Sequence, residues 1–375
     1  FLSSVQTAAA QVQATEFAAM RAEKAKLNDT LLADTQLKRW DVAFYKERVR
    51  QQRYKIDQEA LRAYFPTEQS VQYVMKLAET LYGIEFVARK VPTWSPDVRY
   101  HDVYDRRADG KRGAFLGGIY LDLFPREGKY NHAAAFPVAG VSTLAGRTPI
   151  SVMVANLDPK GLNHEELETL LHEYGHVLHG VLSKTRYVDH SGTSVKRDFV
   201  EAPSQMFEEW ARREEPLALL AQICPTCPKL SREQIAQLNA ARNFGLGNLF
   251  ARQSEYALYD MQLNTGKPQA PMPVWIAIES KSPLGYVEGS LFPAGFGHLL
   301  GGYAAGYYGY MWSQVLALDM LAAFDGKLMN PAVGRRYRDT ILASGGQRKP
   351  QEMVESFLGR KSTSDAFFAE ISGKR

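Results

Sequence analysis

The sequence is short of cysteine, of long apolar runs and of charge excess, and each shortage removes a class of protein. Two cysteines among 375 residues cannot build a disulfide scaffold. They stand together as Cys224-Pro-Thr-Cys227. A four-thiolate metal site would need a second pair, and a redox motif would want a strand-to-helix setting. This one carries Pro225 and Pro228 between helical segments, so it reads as a structural loop, disulfide-bonded or reduced. No apolar run approaches ~18 residues, which excludes a membrane span of the helical kind. The formal net charge is only +4 and there is no dense basic block, which argues against a nucleic-acid partner. There is no internal repeat and no low-complexity segment. An initiator Met is missing too, and the first residues from Phe1 lack the cationic start and apolar centre of a signal peptide. The chain therefore reads as a fragment, and any targeting segment would lie upstream. A soluble protein is expected, with the cytoplasm as first choice and the periplasm or secretion as alternatives.

What is present is a chain that is 45% hydrophobic and 23% charged, enough for a sizeable core in two or three sub-structures. The expected fold is mainly α with a small β-sheet, in three segments. Residues 1–83 read as helical, with helices over about 5–27 and 37–56 and core candidates Trp40, Phe44 and Val49. Asp57 and Thr67 are N-cap candidates for two further helices, the first ending before Pro66 and the second at Gly83. In 84–160 the period becomes that of strands, at Ile84–Ala88, Val98–Tyr104, Ala114–Phe124 and Pro149–Asn156, with Asp109-Gly110 as a hairpin turn. The last of these strands is either an internal one or a free edge able to pair with an extended peptide. Residues 161–375 read as helical again, starting from Asn163 as N-cap with Glu165, Glu166 and Glu168 in or near the first turn.

The chemistry centres on Leu170-Leu-His-Glu-Tyr-Gly-His-Val-Leu-His179. Residues at i and i+4 share a helix face, so His172 and His176 can address one metal ion with Glu173 beside it to take a water proton. Two histidines leave zinc one protein ligand short. Position 182, where an HExxHxxGxxH pattern would place a third His, is Leu. The best acidic candidate is Glu201 in Arg197-Asp-Phe-Val-Glu-Ala-Pro-Ser-Gln-Met206, with Pro203 setting it near a bend or helix start. Asp198 and Glu168 are candidate acceptors for the outer nitrogens of the ligand imidazoles. His179 is expected as a hydrogen-bonded neighbour, and His101, His132, His164 and His190 as surface or satisfied histidines. A second unusual stretch, Phe296 to Tyr310, is rich in glycine and tyrosine. Tyr303, Tyr307, Tyr310 and His298 could serve as donors to a substrate carbonyl or developing oxyanion. The stretch reads either as a mobile loop or as an aromatic helix packed through small residues.

On Tyr120-Leu-Asp-Leu-Phe-Pro-Arg-Glu-Gly-Lys-Tyr130, His172-Glu-Tyr-Gly-His176, Ser191-Gly-Thr193, Arg197 to Gln205 and Gly301 to Tyr310, the chain resembles the thimet oligopeptidase and neurolysin family of zinc peptidases. Oligopeptidase A and peptidyl-dipeptidase Dcp are relatives in that family. The resemblance runs from near Trp40 to the C-terminus and implies a zincin-type HExxH helix. It also implies one Zn2+ per chain on His172, His176 and Glu201, with Glu173 as general base acting on a zinc-bound water. His298, Tyr303 and Tyr310 are implied in substrate contact or transition-state stabilisation, Tyr310 first among them, with Tyr307 a further candidate. Short peptides are the implied substrates and cleavage of internal bonds the implied reaction. A dipeptidyl carboxypeptidase and a catalytically silent peptide-binding remnant are the alternatives. Family members are longer, so the resemblance also implies a missing N-terminal segment of the same protein.

Overall fold

The Ala- and Gln-rich start forms one long helix in the computed structural model, which describes residues 1–374. This is α1 (Leu2–Leu27), followed by α2 (Val42–Tyr54). Of the three core candidates expected around α2, only Val49 is buried, and it packs with Tyr45, Ala19, Met20 and Phe244. Trp40 and Phe44 are 69% and 54% exposed. The cause is local: Trp40 lies in a 3-10 turn ahead of the helix, and Tyr45 and Val49, four apart, take the inward face in place of Phe44.

The helix expected from Asp57 is a single 3-10 turn at Ala60–Ala63, since Pro66 disfavours helical geometry in the residue before it. Thr67 is the first residue of α3 (Thr67–Tyr82), not its cap, and its hydroxyl donates to the Asp158 carbonyl. Gly83, at φ +60°, ends α3 in the left-handed region, which a glycine enters without steric cost.

The strands follow as β1 (Ile84–Arg89), β2 (Arg99–Arg106), β3 (Arg112–Asp122), β4 (Ala134–Ala139) and β5 (Ile150–Val154). They form one five-stranded sheet in the order β1-β2-β3-β5-β4. β3 and β5 are parallel and the other pairs antiparallel. Asp109-Gly110 forms the turn between β2 and β3, with Arg107 N donating to Lys111 O. The sequence reading missed β4, whose Pro137 and neighbouring alanines weaken the strand signal. That omission matters, because β5 is internal and β4, like β1 at the other side, is an edge strand.

The remaining helices are α4 (His164–Val181), α5 (Ala202–Glu208), α6 (Glu214–Ile223), α7 (Arg232–Asn243), α8 (Leu246–Asn264), α9 (Pro271–Glu279), α10 (Phe292–Gly295), α11 (Gly309–Leu321), α12 (Pro331–Thr340), α13 (Pro350–Leu358) and α14 (Asp365–Ile371). The protein is thus mainly helical with a small sheet. Among the described residues no helix is long and apolar enough to cross a membrane.

Two compact units are built from these elements. One gathers Phe1–Asp57, Ala236–Val315 and the stretch beginning at Ser364; the other gathers Gln58–Ile235 and Leu316–Thr363. Segments read along the sequence are runs of one element type, whereas each unit assembles several such runs. In the second unit one sheet face, through Val103, Ile119, Leu121, Ser151 and Met153, is buried. Phe86 of β1 meets Tyr174 of α4 edge-on at 6.1 Å, so the HExxH helix lies against that face.

Candidate active site

Helix α4 starts where Asn163 predicts. The Asn163 side chain accepts from Glu166 N at 2.8 Å, and the Glu166 carboxylate accepts from Asn163 N at 3.0 Å, a reciprocal cap that satisfies two terminal donors. Leu167, Leu170, Leu171, Tyr174, Val177, Leu178 and Val181 are at most 1% exposed, and this apolar surface fixes the helix rotation. His172, Glu173 and His176 are thereby held on a defined face. Gly175 permits the next step. A Cβ there would lie 2.6 Å from Ser204 Cα and 3.1 Å from the Pro203 carbonyl, so only glycine lets α5 approach this closely. Pro203 sits in the first turn of α5 with Glu201 at its N-cap, as the sequence suggests.

That approach brings Glu201 Oε2 to 3.0 Å from His176 Nε2 and 3.3 Å from His172 Nε2. The two imidazoles and the carboxylate offer ligand atoms all within 4.8 Å of one another. Ser204 Oγ donates to Glu201 Oε2 at 3.3 Å. Burial alone would raise the Glu201 carboxyl, but the adjoining His176 and His172 outweigh it and hold Glu201 well below the usual range. His172 is likewise penalised by burial, and its contacts with Glu201 and Glu208 reverse the effect and push it up. Two imidazole nitrogens and one carboxylate oxygen converging on one point fit a divalent cation of the zinc type. Glu173 is 8% exposed. Burial raises its carboxyl, opposed by His172 and His176, and the Ala135 backbone on β4 hydrogen-bonds to it.

The outer nitrogens depart from expectation. His172 Nδ1 hydrogen-bonds Glu208 Oε1 at 2.8 Å. Glu168, the expected acceptor, instead takes Arg212 Nε at 2.6 Å and lies 3.7 Å from His164 Nδ1. Glu208 stands seven residues after Glu201, two helical turns along one face, and that spacing could have identified it. His176 Nδ1 finds no hydrogen-bond partner among the described residues, so Asp198 does not serve it. Nor is His179 a hydrogen-bonded neighbour. It is fully buried with neither ring nitrogen bonded among the described residues, and burial with the adjacent His176 pushes it down to about 3. His164 is satisfied, its Nε2 lying 2.9 Å from the Ala211 carbonyl.

The glycine- and tyrosine-rich candidates form a separate cluster in the first unit. Tyr310 opens α11; Tyr303 and Tyr307 lie in the turns that precede it. The expected aromatic helix therefore takes in only Tyr310. Tyr303 stacks on Tyr310 with centroids 5.3 Å apart and planes 6° apart, and the Tyr310 hydroxyl is 3.4 Å from His298 Nε2. Tyr307 is 6% exposed and packs against Phe296 and His298; burial raises its phenol. Asp260, fully buried on α8, accepts the Ala305 and Tyr307 backbone N–H groups at 2.9 Å each. This brace holds Ala305 at φ +52° and has no signature in the local sequence.

The family model described as Peptidase family M3 matches residues 1–373. The chain belongs to peptidase family M3. Among curated relatives, this M3 chain is 34% identical over 351 residues to the thimet-like oligopeptidase of Dictyostelium discoideum, covering 88% of this chain and 51% of the relative. It is 35% identical over 350 residues to oligopeptidase A of Haemophilus influenzae, again covering 88% and 51%. The chain thus spans about half the length of the curated relatives it matches. In fold it resembles the solved structure of CHT, with TM-score 0.51 at 9% identity over 99% of this chain and 80% of that one.

Within this M3 chain the stretch Tyr120 to Tyr130 has an architectural task. Asp122, 3% exposed, accepts from Arg126, Trp94 and Lys129, and Lys129 Nζ also bonds the carbonyls of Asp122, Phe124 and Ala155. These bonds tie the end of β3 to the chain leaving β5. Burial would raise the Asp122 carboxyl, but its three donors prevail and hold it at about 2. A carboxyl depressed on folding adds stability above its unfolded pKa and loses it as pH falls through the folded one. From the usual 3.8 to about 2, that contribution is about 2 kcal/mol. Urea denaturation at stepped pH should show it fading from about pH 4 towards pH 2. Asp122→Asn should flatten that limb, and an unchanged limb would remove Asp122 as its source.

Proposed function

We propose that this chain carries the site of a zinc-dependent oligopeptidase that hydrolyses internal bonds of short peptides. The observation that carries the reading is the convergence of His172 Nε2, His176 Nε2 and Glu201 Oε2, with Glu173 on the same turn of α4. His172, His176 and Glu201 would hold one Zn2+, which when bound supplies Lewis-acid chemistry, acidifying a water and polarising the scissile carbonyl. Glu173 does the proton work. Its carboxylate takes the proton of the attacking water and passes it to the leaving amine as the carbon–nitrogen bond breaks. Burial raises the Glu173 carboxyl, which makes its carboxylate a stronger acceptor for the water proton.

Edge strand β4 supports a peptide rather than a small-molecule substrate. Its outer edge has no strand partner among the described residues, and its Ala135 backbone reaches Glu173. An extended peptide added along β4 would pass beside the general base. The edge role considered for residues 149–156 therefore moves to 134–139. Tyr310, with His298 close by and Tyr303 stacked on it, has the donor chemistry for the oxyanion. Tyr303 is assigned to substrate contact by its own phenol, and Tyr307 is assigned a weaker share because its ring is buried.

The test is product mapping by mass spectrometry with a short C-terminally amidated peptide, zinc, and a chelator-treated control. Zinc-dependent internal cuts are expected. If a zinc-loaded sample leaves the amidated peptide intact but removes dipeptides from its free acid, the site is a dipeptidyl carboxypeptidase. If neither is cut, the chain binds without turnover.

A further inference from the structure

Arg212 is a buried cation in the second unit engaged by three carboxylates, and nothing in the proposed mechanism uses it. It is 5% exposed, and its three nitrogens address three different carboxylates. Nε donates to Glu168 Oε1 at 2.6 Å, Nη1 to Glu209 Oε1 at 2.5 Å and Nη2 to Glu208 Oε2 at 2.8 Å. The Glu208 carboxylate is shared, since its other oxygen, Oε1, takes the His172 Nδ1 bond at 2.8 Å. Glu168 belongs to the same helix as His172, one turn before it. The contacts close a ring from α4 to the end of α5, through Arg212, and back to α4.

We infer that Arg212 is the positioning residue of the metal centre, fixing Glu208 so that the His172 ring keeps Nδ1 turned to that carboxylate and Nε2 turned to Glu201. The inference rests on the reading of His172 as a metal ligand. The argument is geometric. Glu208 is the last residue of α5, and the 3-10 turn Glu209–Ala211 that follows carries the chain directly to Arg212. A carboxylate there has several rotamers. Arg212 removes that freedom through one nitrogen while its other two are anchored, one to α4 and one to Glu209. Glu209 is in turn held by Arg213 Nη2 at 3.0 Å. A planar guanidinium with donors on three sides can serve all three carboxylates at once, whereas an ammonium is a point charge on a flexible stem. Such support of a ligand imidazole typically matters 10–100-fold in metal affinity.

The test compares Arg212→Lys, Glu208→Gln and the double variant in the full chain, with Glu209→Gln to read how much one anchor of the same guanidinium contributes. The zinc dissociation constant is measured by chelator competition, below the unfolding transition of every variant. R212K is expected to weaken zinc on the order of 10–100-fold, and E209Q, which loosens one anchor and leaves the Glu208 contact in place, to weaken it less. Because Arg212 acts through Glu208, R212K should add almost nothing once E208Q is present, a non-additive cycle. Additive losses, or an R212K protein that melts earlier with an unchanged zinc constant, would overturn the inference and leave Arg212 a purely structural ion.

A second readout needs no metal. In the metal-free chain the His172 Nδ1–H proton should appear downfield and protected from exchange, and R212K should lose that protection. If wild-type protein fails to bind zinc, the proposed function falls while this signal still decides the role of Arg212. A protected proton in R212K would refute it.

Discussion

Glu173→Gln is expected to leave zinc binding close to that of the parent and to lower kcat for peptide hydrolysis by about 10²–10⁴-fold. The two halves of that expectation come from different atoms. The group that could hold a metal is His172, His176 and Glu201, whose candidate ligand atoms lie within 4.8 Å of each other; Glu173 is not one of them. Gln keeps the volume and hydrogen-bonding outline of Glu, so α4, whose neighbouring Leu170, Leu171 and Tyr174 are at most 1% exposed, has no reason to repack. What Gln lacks is a basic oxygen. No water proton can be taken and none returned to the leaving amine. A fall in kcat with a nearly constant KM would mark a loss confined to the transition state. Zinc content by mass spectrometry and product formation by chromatography read the two halves separately. Full hydrolysis in the variant would remove Glu173 from the mechanism, and loss of zinc would place it among the ligands.

How far the sequence foretells the site depends on whether a residue acts within one helix or across elements. His172, Glu173 and His176 are legible because the α-helical period alone puts them together. Asn163 is legible for the same reason, as a cap of the helix that bears them. Glu201 was reachable by elimination, since the metal lacked a ligand and Pro203 marked a helix start. Across elements the sequence goes quiet. Nothing near Glu168 says that its carboxylate turns to Arg212 rather than to a ligand imidazole, because that choice depends on Arg212 arriving from the turn after α5. Strand β4 was missed because its residues do not alternate as a buried strand would, and an edge strand need not. With it went the identity of the sheet edge next to β5. The exposure of Trp40 and Phe44 shows the converse: a helical pattern gives a face, but which of two adjacent apolar residues turns inward is set by the partner helix. Asp260, which braces the turn before Tyr310, is remote in sequence and carries no motif.

Glu201→Ala should weaken zinc binding by on the order of 10³-fold or more, because a three-ligand protein site reduced to two imidazoles loses its only anionic donor. The geometry gives the loss a specific shape. Glu201 Oε2 is the shared contact of His172 Nε2 and His176 Nε2, so its removal separates two groups that no other bond joins at that end. His172 keeps Glu208 and stays oriented. His176, whose Nδ1 has no partner among the described residues, loses its restraint. Zinc retained after dialysis against a buffered metal solution is the measurement, with circular dichroism to show that the chain remains folded. Glu201→Gln sharpens the result, since it keeps the side-chain shape and an acceptor oxygen while removing the charge. It should fall between parent and Ala if charge and position both matter. A zinc content unchanged in the folded Ala variant would exclude Glu201 as a ligand and send the search to another carboxylate near α4. Loss in the Ala variant with parent-like binding in Gln would show that position, rather than charge, is what Glu201 contributes.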